Sequence, residues 1–271
     1  MKLNKTPIIF KEGPISRSYI NVLRELNIKN TNIIYLNKSY SLKLYEKILF
    51  KKYNHYPLKF LSDKNCINFI EDIEKFFSLS KGFVRDTYIH KNIYDFKNII
   101  RINSDSINSK ESIQIIKNHP SDYFINTGKE ILKEIFISKK RFFHIHPGFL
   151  PDIRGADGTL NSIFYLNEFG CTFFEMTREI DKGNIYDRIK FNLKKFRLNN
   201  YKKYDTKDIY RIWYSFFDMA LRAHLFKKML KNNLEIVNST IITDSKNYIS
   251  KYYSFMNDKN LKEVFKKIFD E

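Results

Sequence analysis

The first 36 residues contain the pattern that most restricts how this chain can fold. A short apolar run, PIIF at residues 7–10, is followed by Gly13-Pro14 and then by apolar residues at helical spacing from 15 to 26. A second apolar run, NIIYL, occupies residues 32–36. The order strand, turn, helix, strand is typical of a βαβ unit and predicts a parallel sheet, with Ser16 as a candidate helix cap. The Gly13 turn does not match GxGxxG, so it predicts no dinucleotide site.

Similar segments alternate along the rest of the chain. Extended segments are predicted at residues 99–102, 122–128, 141–146, 170–176 and 184–191, and around Ile236; helices are predicted at 39–53, 67–80, 109–118, 131–136, 161–166 and 261–269. Apolar residues from Ile209 to Leu225 recur at helical spacing and predict a long amphipathic helix, with Trp213 in the core. We therefore expect an α/β fold with a mostly parallel sheet over residues 1–200, and a smaller, largely helical extension over 201–271 packed on it.

Composition limits the function classes. The chain has 271 residues, 43% of them hydrophobic, and a formal net charge of +18. This apolar content suits one large packed domain, with or without an appendage, and argues against global disorder. The sequence contains no predicted transmembrane segment and no signal-peptide pattern, so we expect a cytoplasmic protein. It has only two cysteines, which do not make a disulfide framework. The scattered lysines fit an AT-rich genome or an anionic substrate better than a nucleic-acid partner.

Two histidines stand at the end of a predicted strand. His144 and His146 are two residues apart, so both point to one side of the strand, and Pro147-Gly148 ends it. Open α/β sheets bind ligands at the carboxyl ends of their strands, and Asp181, just past the strand at 170–176, can converge there. A catalytic pair, a structural histidine and a metal site all remain possible. A metal site needs further ligands, and the other histidines show no ligand spacing: His55, His90, His119 and His224.

The string HIHPGFLPDIRG, residues 144–155, resembles the signature N-x-H-P-S-x-L-P-x-x-R-G of the 10-formyltetrahydrofolate-dependent formyltransferase family. The family's later G-x-T and D-x-G elements have counterparts in GCT at 170–172 and DKG at 181–183. The family includes glycinamide ribonucleotide, methionyl-tRNA and sugar N-formyltransferases. The resemblance covers residues 97–190 well and the first 36 less closely. It implies a Rossmann-like formyltransferase fold and 10-formyltetrahydrofolate as formyl donor.

The resemblance also implies residue roles. His146 corresponds to the catalytic histidine that removes the amine proton, and Asp181 to the carboxylate that orients and charges it. His144 stands where the family has an asparagine, whose amide N–H helps hold the oxyanion. Gly148 stands where serine is usual, a change that we expect to be mild. Weaker assignments place Gly128 and Ile131 in the folate pocket, and Arg154 and Gly155 in substrate binding.

The histidine at position 144 leaves three outcomes open. An imidazole N–H can donate a hydrogen bond, and a protonated ring donates more strongly, but the group is bulkier and titrates near neutrality. Either His144 replaces the asparagine, or the site catalyses an altered reaction, or transfer is lost.

The resulting expectation is an N-formyltransferase that acts on a primary amine. The C-terminal segment lacks the barrel pattern of the tRNA-acting type, which favours a small acceptor such as an amino sugar on a nucleotide, whose phosphates suit a positive surface. One alternative is a formyl hydrolase, or a carbamoyl or other one-carbon transferase, on the same fold. Another is a basic nucleic-acid-binding module without activity. The 209–229 helix could pair two subunits in a homodimer.

Overall fold

The computed structural model of this chain describes residues 2–37, 56–89, 93, 95–133, 139–236, 241–242 and 250–269. Its strands are β1 (Ile8–Lys11), β2 (Asn32–Leu36), β3 (Asn98–Ile102), β4 (Tyr123–Asn126), β5 (Arg141–His146), β6 (Ile153–Gly155), β7 (Glu168–Glu175), β8 (Ile185–Asn192) and β9 (Lys251–Tyr253). Seven of them form one sheet in the order β3-β2-β1-β4-β5-β7-β8. Neighbours from β3 to β5 are parallel, whereas β7 and β8 join antiparallel. The expected α/β, Rossmann-like class with a mostly parallel sheet is confirmed.

Helices connect and cover these strands. They are α1 (Pro14–Glu25), α2 (Lys64–Phe76), α3 (Phe83–Thr87), α4 (Lys110–Asn118), α5 (Gly158–Leu166), α6 (Thr206–Ile212), α7 (Met219–Lys231) and α8 (Asp258–Phe269). Residues 56–61 are also helical, and short 3-10 turns lie at Leu3–Lys5 and Tyr201–Lys203. Over the described ranges, we find no helix with the length and apolar character needed to span a bilayer.

Both faces of the sheet are buried, which explains why its inner strands are nearly continuous apolar runs. In β1, Ile8 and Phe10 point into the larger core cluster and Ile9 points into the smaller one on the opposite face. The larger cluster also contains Trp213 of the C-terminal segment and Phe265 of α8. The C-terminal helices therefore share the core of the sheet, and the division into domains at residue 200 stays a prediction.

The long helix predicted from Ile209 to Leu225 is present, but it contains an irregular turn. A π-helical turn, Trp213–Asp218, lies between α6 and α7, and the helical path continues through it. Trp213 is 1% exposed and stacks on Phe217 with ring centroids 3.7 Å apart, which confirms its expected place in the core. Because a π turn rotates the residues that follow it, this turn changes which side chains face the sheet.

Several sequence-based expectations differ from the structure. The N-cap of α1 is Gly13; Ser16 lies inside the helix, where its hydroxyl hydrogen bonds to the Lys11 carbonyl oxygen. Residues 131–133 are not helical, and the remainder of the predicted 131–136 helix lies outside the described residues, as does the predicted helix at 39–53. Around Ile236, where a strand was predicted, the described residues show only an isolated bridge between Glu235 and Lys2, and residues 237–240 lie outside the described part of the chain. The pairing of β6 with β9 was not anticipated, because neither three-residue strand has a periodic pattern.

The turn before β8 leaves no room for a side chain at Gly183. A Cβ there would lie 1.6 Å from the Glu175 carbonyl oxygen. We predict that Gly183→Ala lowers the free energy of unfolding by about 3 kcal/mol, because the backbone of β7 must move. Urea denaturation tests this. Gly128→Ala is the matched control, since a Cβ at position 128 meets only the Asn126 side-chain oxygen, at 3.3 Å. Equal stability of the two variants would contradict the prediction.

Candidate active site

A cavity of about 520 Å³ lies beside the carboxyl ends of β4 and β5. Its volume falls within the range of about 300–1,000 Å³ that is typical of small-molecule sites. Its walls come from the segments 128–132, 155–160 and 176–181, the end of β5, and the helix that contains the π turn. The sequence-predicted site residues that line it are His144, His146, Asp181, Gly128, Ile131 and Gly155.

Arg154 is the predicted site residue that does not line this cavity. It lies in β6, and its Nη2 donates a hydrogen bond to the Ser250 carbonyl oxygen at 3.3 Å. This contact ties the loop after β5 to the segment that leads into β9. Arg154 therefore helps shape the loop, and a contact with substrate stays a prediction.

His146 is oriented by a backbone carbonyl. Its Nε2 lies 3.1 Å from the Ile153 carbonyl oxygen. Because that oxygen can only accept, Nε2 carries the proton and Nδ1 keeps its lone pair. Nδ1 faces Asp181 Oδ2 at 3.7 Å, which is beyond direct hydrogen-bond distance. A proton taken up at Nδ1 therefore arrives beside a carboxylate that stabilises the new charge.

The surroundings keep His146 neutral near pH 7. Burial lowers its pKa, Asp181 partly opposes this effect, and the Arg222 guanidinium lowers the pKa further. The Asp181 carboxylate is itself held by the Gly155 N–H, which donates to Oδ2 at 2.8 Å. A neutral imidazole with a lone pair next to a fixed carboxylate has the properties of a general base.

Asp181 reaches this histidine by a different route from the one expected. β7 runs antiparallel to β5, so Glu175 at its carboxyl end pairs with Phe143, near the start of β5. Asp181 therefore does not follow a strand end at the same edge of the sheet. The connection 176–184 instead folds along the cavity and brings the carboxylate back to His146.

Gly148 makes the His146 geometry possible. A Cβ at this position would lie 2.7 Å from His146 Nε2 and 2.8 Å from the Ile153 carbonyl oxygen, the two ends of the same hydrogen bond. A side chain here would push these groups apart. The glycine in place of the family's serine is therefore coupled to the hydrogen bond of His146, and the expectation that the change is mild stays a prediction.

His144 has the opposite tautomer. Its Nδ1 lies 2.8 Å from the Asn126 carbonyl oxygen, so Nδ1 carries the proton. Its Nε2 lies 3.1 Å from Arg222 Nη1, which can only donate. Burial and then the Arg222 charge lower the pKa of His144 to about 3. A protonated His144 that donates to an oxyanion, one possibility raised by the sequence, does not fit these contacts.

This site contains a buried ion pair that was not predicted from the sequence. Arg222 of α7 and Asp218 of the π turn line the cavity and are 5% and 3% exposed. Arg222 Nε donates to Asp218 Oδ2 at 3.1 Å, and Nη1 donates to the Ile145 carbonyl oxygen at 2.5 Å. Both residues lie on the buried side of the helix that was predicted to be amphipathic. The signal in the sequence is the spacing of four residues between Asp218 and Arg222 within an otherwise apolar segment, because buried charges are normally paired.

A second cavity, of about 480 Å³, adjoins the first. Lys129 and Tyr214 line both cavities, and the Lys129 ammonium lies 4.1 Å from the centre of the Tyr214 ring. Lys129 forms no ion pair within the part of the chain that the structure describes, and the buried Tyr214 hydroxyl lacks a hydrogen-bond partner there. The junction between the cavities thus offers a cation and a hydroxyl for a ligand.

The described residues contain no group of three or more histidine, cysteine, aspartate or glutamate side chains arranged to hold a metal ion. His119 Nδ1 accepts from the Ser121 N–H, and His224 Nδ1 hydrogen bonds to the Phe77 carbonyl oxygen. Two further histidines, His55 and His90, lie outside the described residues.

Neither a protein-family model nor a curated protein matches this chain. Among solved structures, it is similar to a sugar N-formyltransferase from a Shewanella species (14% identity; 92% of this chain and 76% of that chain; TM-score 0.48). It is also similar to an N-formyltransferase from Helicobacter canadensis, in complex with folinic acid and dTDP-3-aminofucose (20% identity; 92% and 70%; TM-score 0.43). A third is glycinamide ribonucleotide transformylase 1 from Symbiobacterium toebii (12% identity; 84% and 87%; TM-score 0.45). The sequence identities and TM-scores are too low for the reaction of any of these proteins to be assigned to this chain.

The contacts of the two histidines predict opposite tautomers. In ¹⁵N NMR spectra we expect His144 as the Nδ1–H form and His146 as the Nε2–H form, both neutral above pH 7, because both pKa values are lowered from the ordinary value of about 6.5. Since the unfolded chain binds these protons more readily, stability should fall as pH drops below about 6.5. The decrease of the free energy of unfolding with falling pH should be less steep in His144→Asn, which lacks one of the two rings. A His144 ring that titrates near pH 6.5 would contradict these assignments.

Proposed function

We propose that this chain is an N-formyltransferase that moves a formyl group from 10-formyltetrahydrofolate to a primary amine. The observation that carries the proposal is the pairing of His146, whose Nδ1 holds a lone pair, with Asp181 Oδ2 at 3.7 Å in a cavity. Formyl transfer needs a base that takes the amine proton and a group that stabilises the resulting cation. The matched signature at residues 144–155 and 181–183 supports the same assignment.

The first cavity suits the formyl donor, a substrate that is consumed in each turnover. Gly128 and Ile131 line it, as the resemblance implies for the folate pocket. Ile131 and Phe255 are 60% and 76% exposed at its wall, and large exposed apolar side chains beside a cavity favour a ligand with aromatic rings. These residues would hold the donor while His146 handles the amine proton.

The second cavity suits the amine acceptor, and we assign it an amino sugar on a nucleotide. Two cavities that share a wall provide for the two substrates of a transfer reaction. Lys129 stands at their junction without a carboxylate partner among the described residues, and an ammonium in that position favours a phosphate group. A cytoplasmic location and a homodimer stay predictions.

Transfer itself is the direct test. Wild-type protein incubated with 10-formyltetrahydrofolate and a panel of nucleotide-linked amino sugars should yield an N-formyl product by mass spectrometry. Calorimetry should show saturable binding of 5-formyltetrahydrofolate, altered in Asp181→Ala. Binding without any N-formyl product, together with formate release in the absence of acceptor, would replace the transferase with a formyl hydrolase. Salt-sensitive nucleic-acid binding without folate binding would overturn the enzyme assignment.

Lys129 provides a separate test of the acceptor site. We predict that Lys129→Ala raises KM for a nucleotide-linked amine about tenfold and changes kcat little, because it removes a phosphate contact present before and during the reaction. Lys133→Ala is the matched control, since Lys133 is exposed and lines neither cavity. An unchanged KM in the Lys129 variant, or an equal effect in both, would exclude this phosphate site.

A further inference from the structure

Arg222 lines the cavity of the proposed reaction site and has hydrogen-bonding groups that no described residue uses. Its Nε donates to Asp218, and its Nη1 donates to His144 Nε2 and to the Ile145 carbonyl oxygen. Its Nη2 has no hydrogen-bond partner in the described residues, although the guanidinium is 5% exposed and lines the cavity. A buried guanidinium with two unused N–H groups beside a cavity is a built donor site.

His144 cannot supply that donor. Its one N–H is used by the Asn126 carbonyl oxygen at 2.8 Å. Its other nitrogen accepts from Arg222 at 3.1 Å. A developing negative charge in the cavity therefore meets no unused N–H on this ring, and the cation in contact with the ring is the guanidinium of Arg222.

We propose that Arg222 donates the hydrogen bond that stabilises the formyl oxygen during transfer, and that His144 is a positioning residue that holds the guanidinium in place. The inference rests on the formyl-transfer function proposed above. It assigns to a side chain of α7 the stabilising role that the asparagine has in the resembled family. A guanidinium suits that role because it stays charged at every physiological pH and its hydrogen bonds to anionic oxygen are strong.

The chemical step balances around this donor. The acceptor nitrogen forms a bond to the formyl carbon, and the carbonyl π pair moves to the formyl oxygen, which Arg222 Nη2–H stabilises without losing its proton. His146 Nδ1 takes one proton from the acceptor nitrogen. An electron pair of the formyl oxygen then re-forms the carbonyl, and the bond from the formyl carbon to the folate nitrogen breaks. The folate nitrogen receives the proton that His146 had taken from the acceptor nitrogen. Arg222 and His146 both end the cycle unchanged.

The test compares Arg222→Lys and Arg222→Ala with His144→Asn and wild type. We expect the Arg222 variants to lose about 100- to 1,000-fold in kcat, the usual effect of removing an oxyanion donor. Their dissociation constant for 5-formyltetrahydrofolate should change less than about tenfold, because the contact strengthens only as charge develops. His144→Asn should lose less than about tenfold in kcat, since its amide oxygen still accepts from Arg222. Guanidinium ion at sub-denaturing concentration should restore part of the activity of Arg222→Ala.

Controls separate the possible outcomes. Arg197→Ala removes an exposed arginine that pairs with Asp72 at 2.6 Å, away from the cavity, and should behave as wild type. If Arg222→Ala fails to fold, the double variant Arg222→Gln/Asp218→Asn removes both buried charges and should show the same loss in kcat. If the wild type is active, an unchanged kcat in the Arg222 variants, or a loss of kcat in His144→Asn larger than theirs, would overturn this inference and leave the proposed function standing. An inactive wild type would overturn the proposed function instead.

Discussion

Arg222 fixes the position of α7 relative to the sheet, and the cavity depends on that position. Its guanidinium is held by a buried ion pair with Asp218, four residues earlier on the same helical path. Removing one partner of such a buried pair costs about 3–5 kcal/mol, because the other charge is left without compensation. The same guanidinium binds the Ile145 carbonyl oxygen at 2.5 Å, in the strand that carries both histidines. The register of α7 over β5 is therefore set by polar contacts with strict geometry as well as by apolar packing. Apolar packing alone would tolerate a small sliding of α7 along β5. A hydrogen bond between a guanidinium and a backbone carbonyl tolerates it less, because its distance and angle are restricted.

Two histidines on one face of one strand differ in tautomer because different carbonyl groups hold them. The Asn126 oxygen fixes the proton of His144 on Nδ1, and the Ile153 oxygen fixes that of His146 on Nε2. The remaining nitrogens then meet opposite charges, since His144 Nε2 faces a guanidinium and His146 Nδ1 faces a carboxylate. Protonation is therefore opposed at the first ring and assisted at the second. Spacing in the sequence makes the rings co-facial, but their partners decide the chemistry.

Local patterns predicted the parts of the structure that depend on local forces. The apolar runs of β1 and β2 and the His144/His146 spacing were sufficient because burial and strand pleat act on neighbouring residues. The role of Gly148 was not predictable, because it depends on how closely His146 approaches Ile153 across a loop. The β6–β9 pairing and the contact between Arg222 and His144 join segments far apart in the chain and have no periodic signature. The family signature indicates His146, the proposed general base, and contains no counterpart of Arg222.

An arginine at this site resolves a conflict that a histidine alone would create. If His144 acted as the cationic donor, one ring of the pair would have to be protonated while the other, two residues away, stayed neutral. Burial and then the Arg222 charge lower the pKa of His144 to about 3, so a cationic His144 would not persist near neutral pH. A guanidinium stays charged, so it lowers both histidine pKa values without titrating. The proposed base at His146 and the cation at Arg222 can then coexist across the neutral range, so that His144 in place of asparagine is compatible with the proposed transfer.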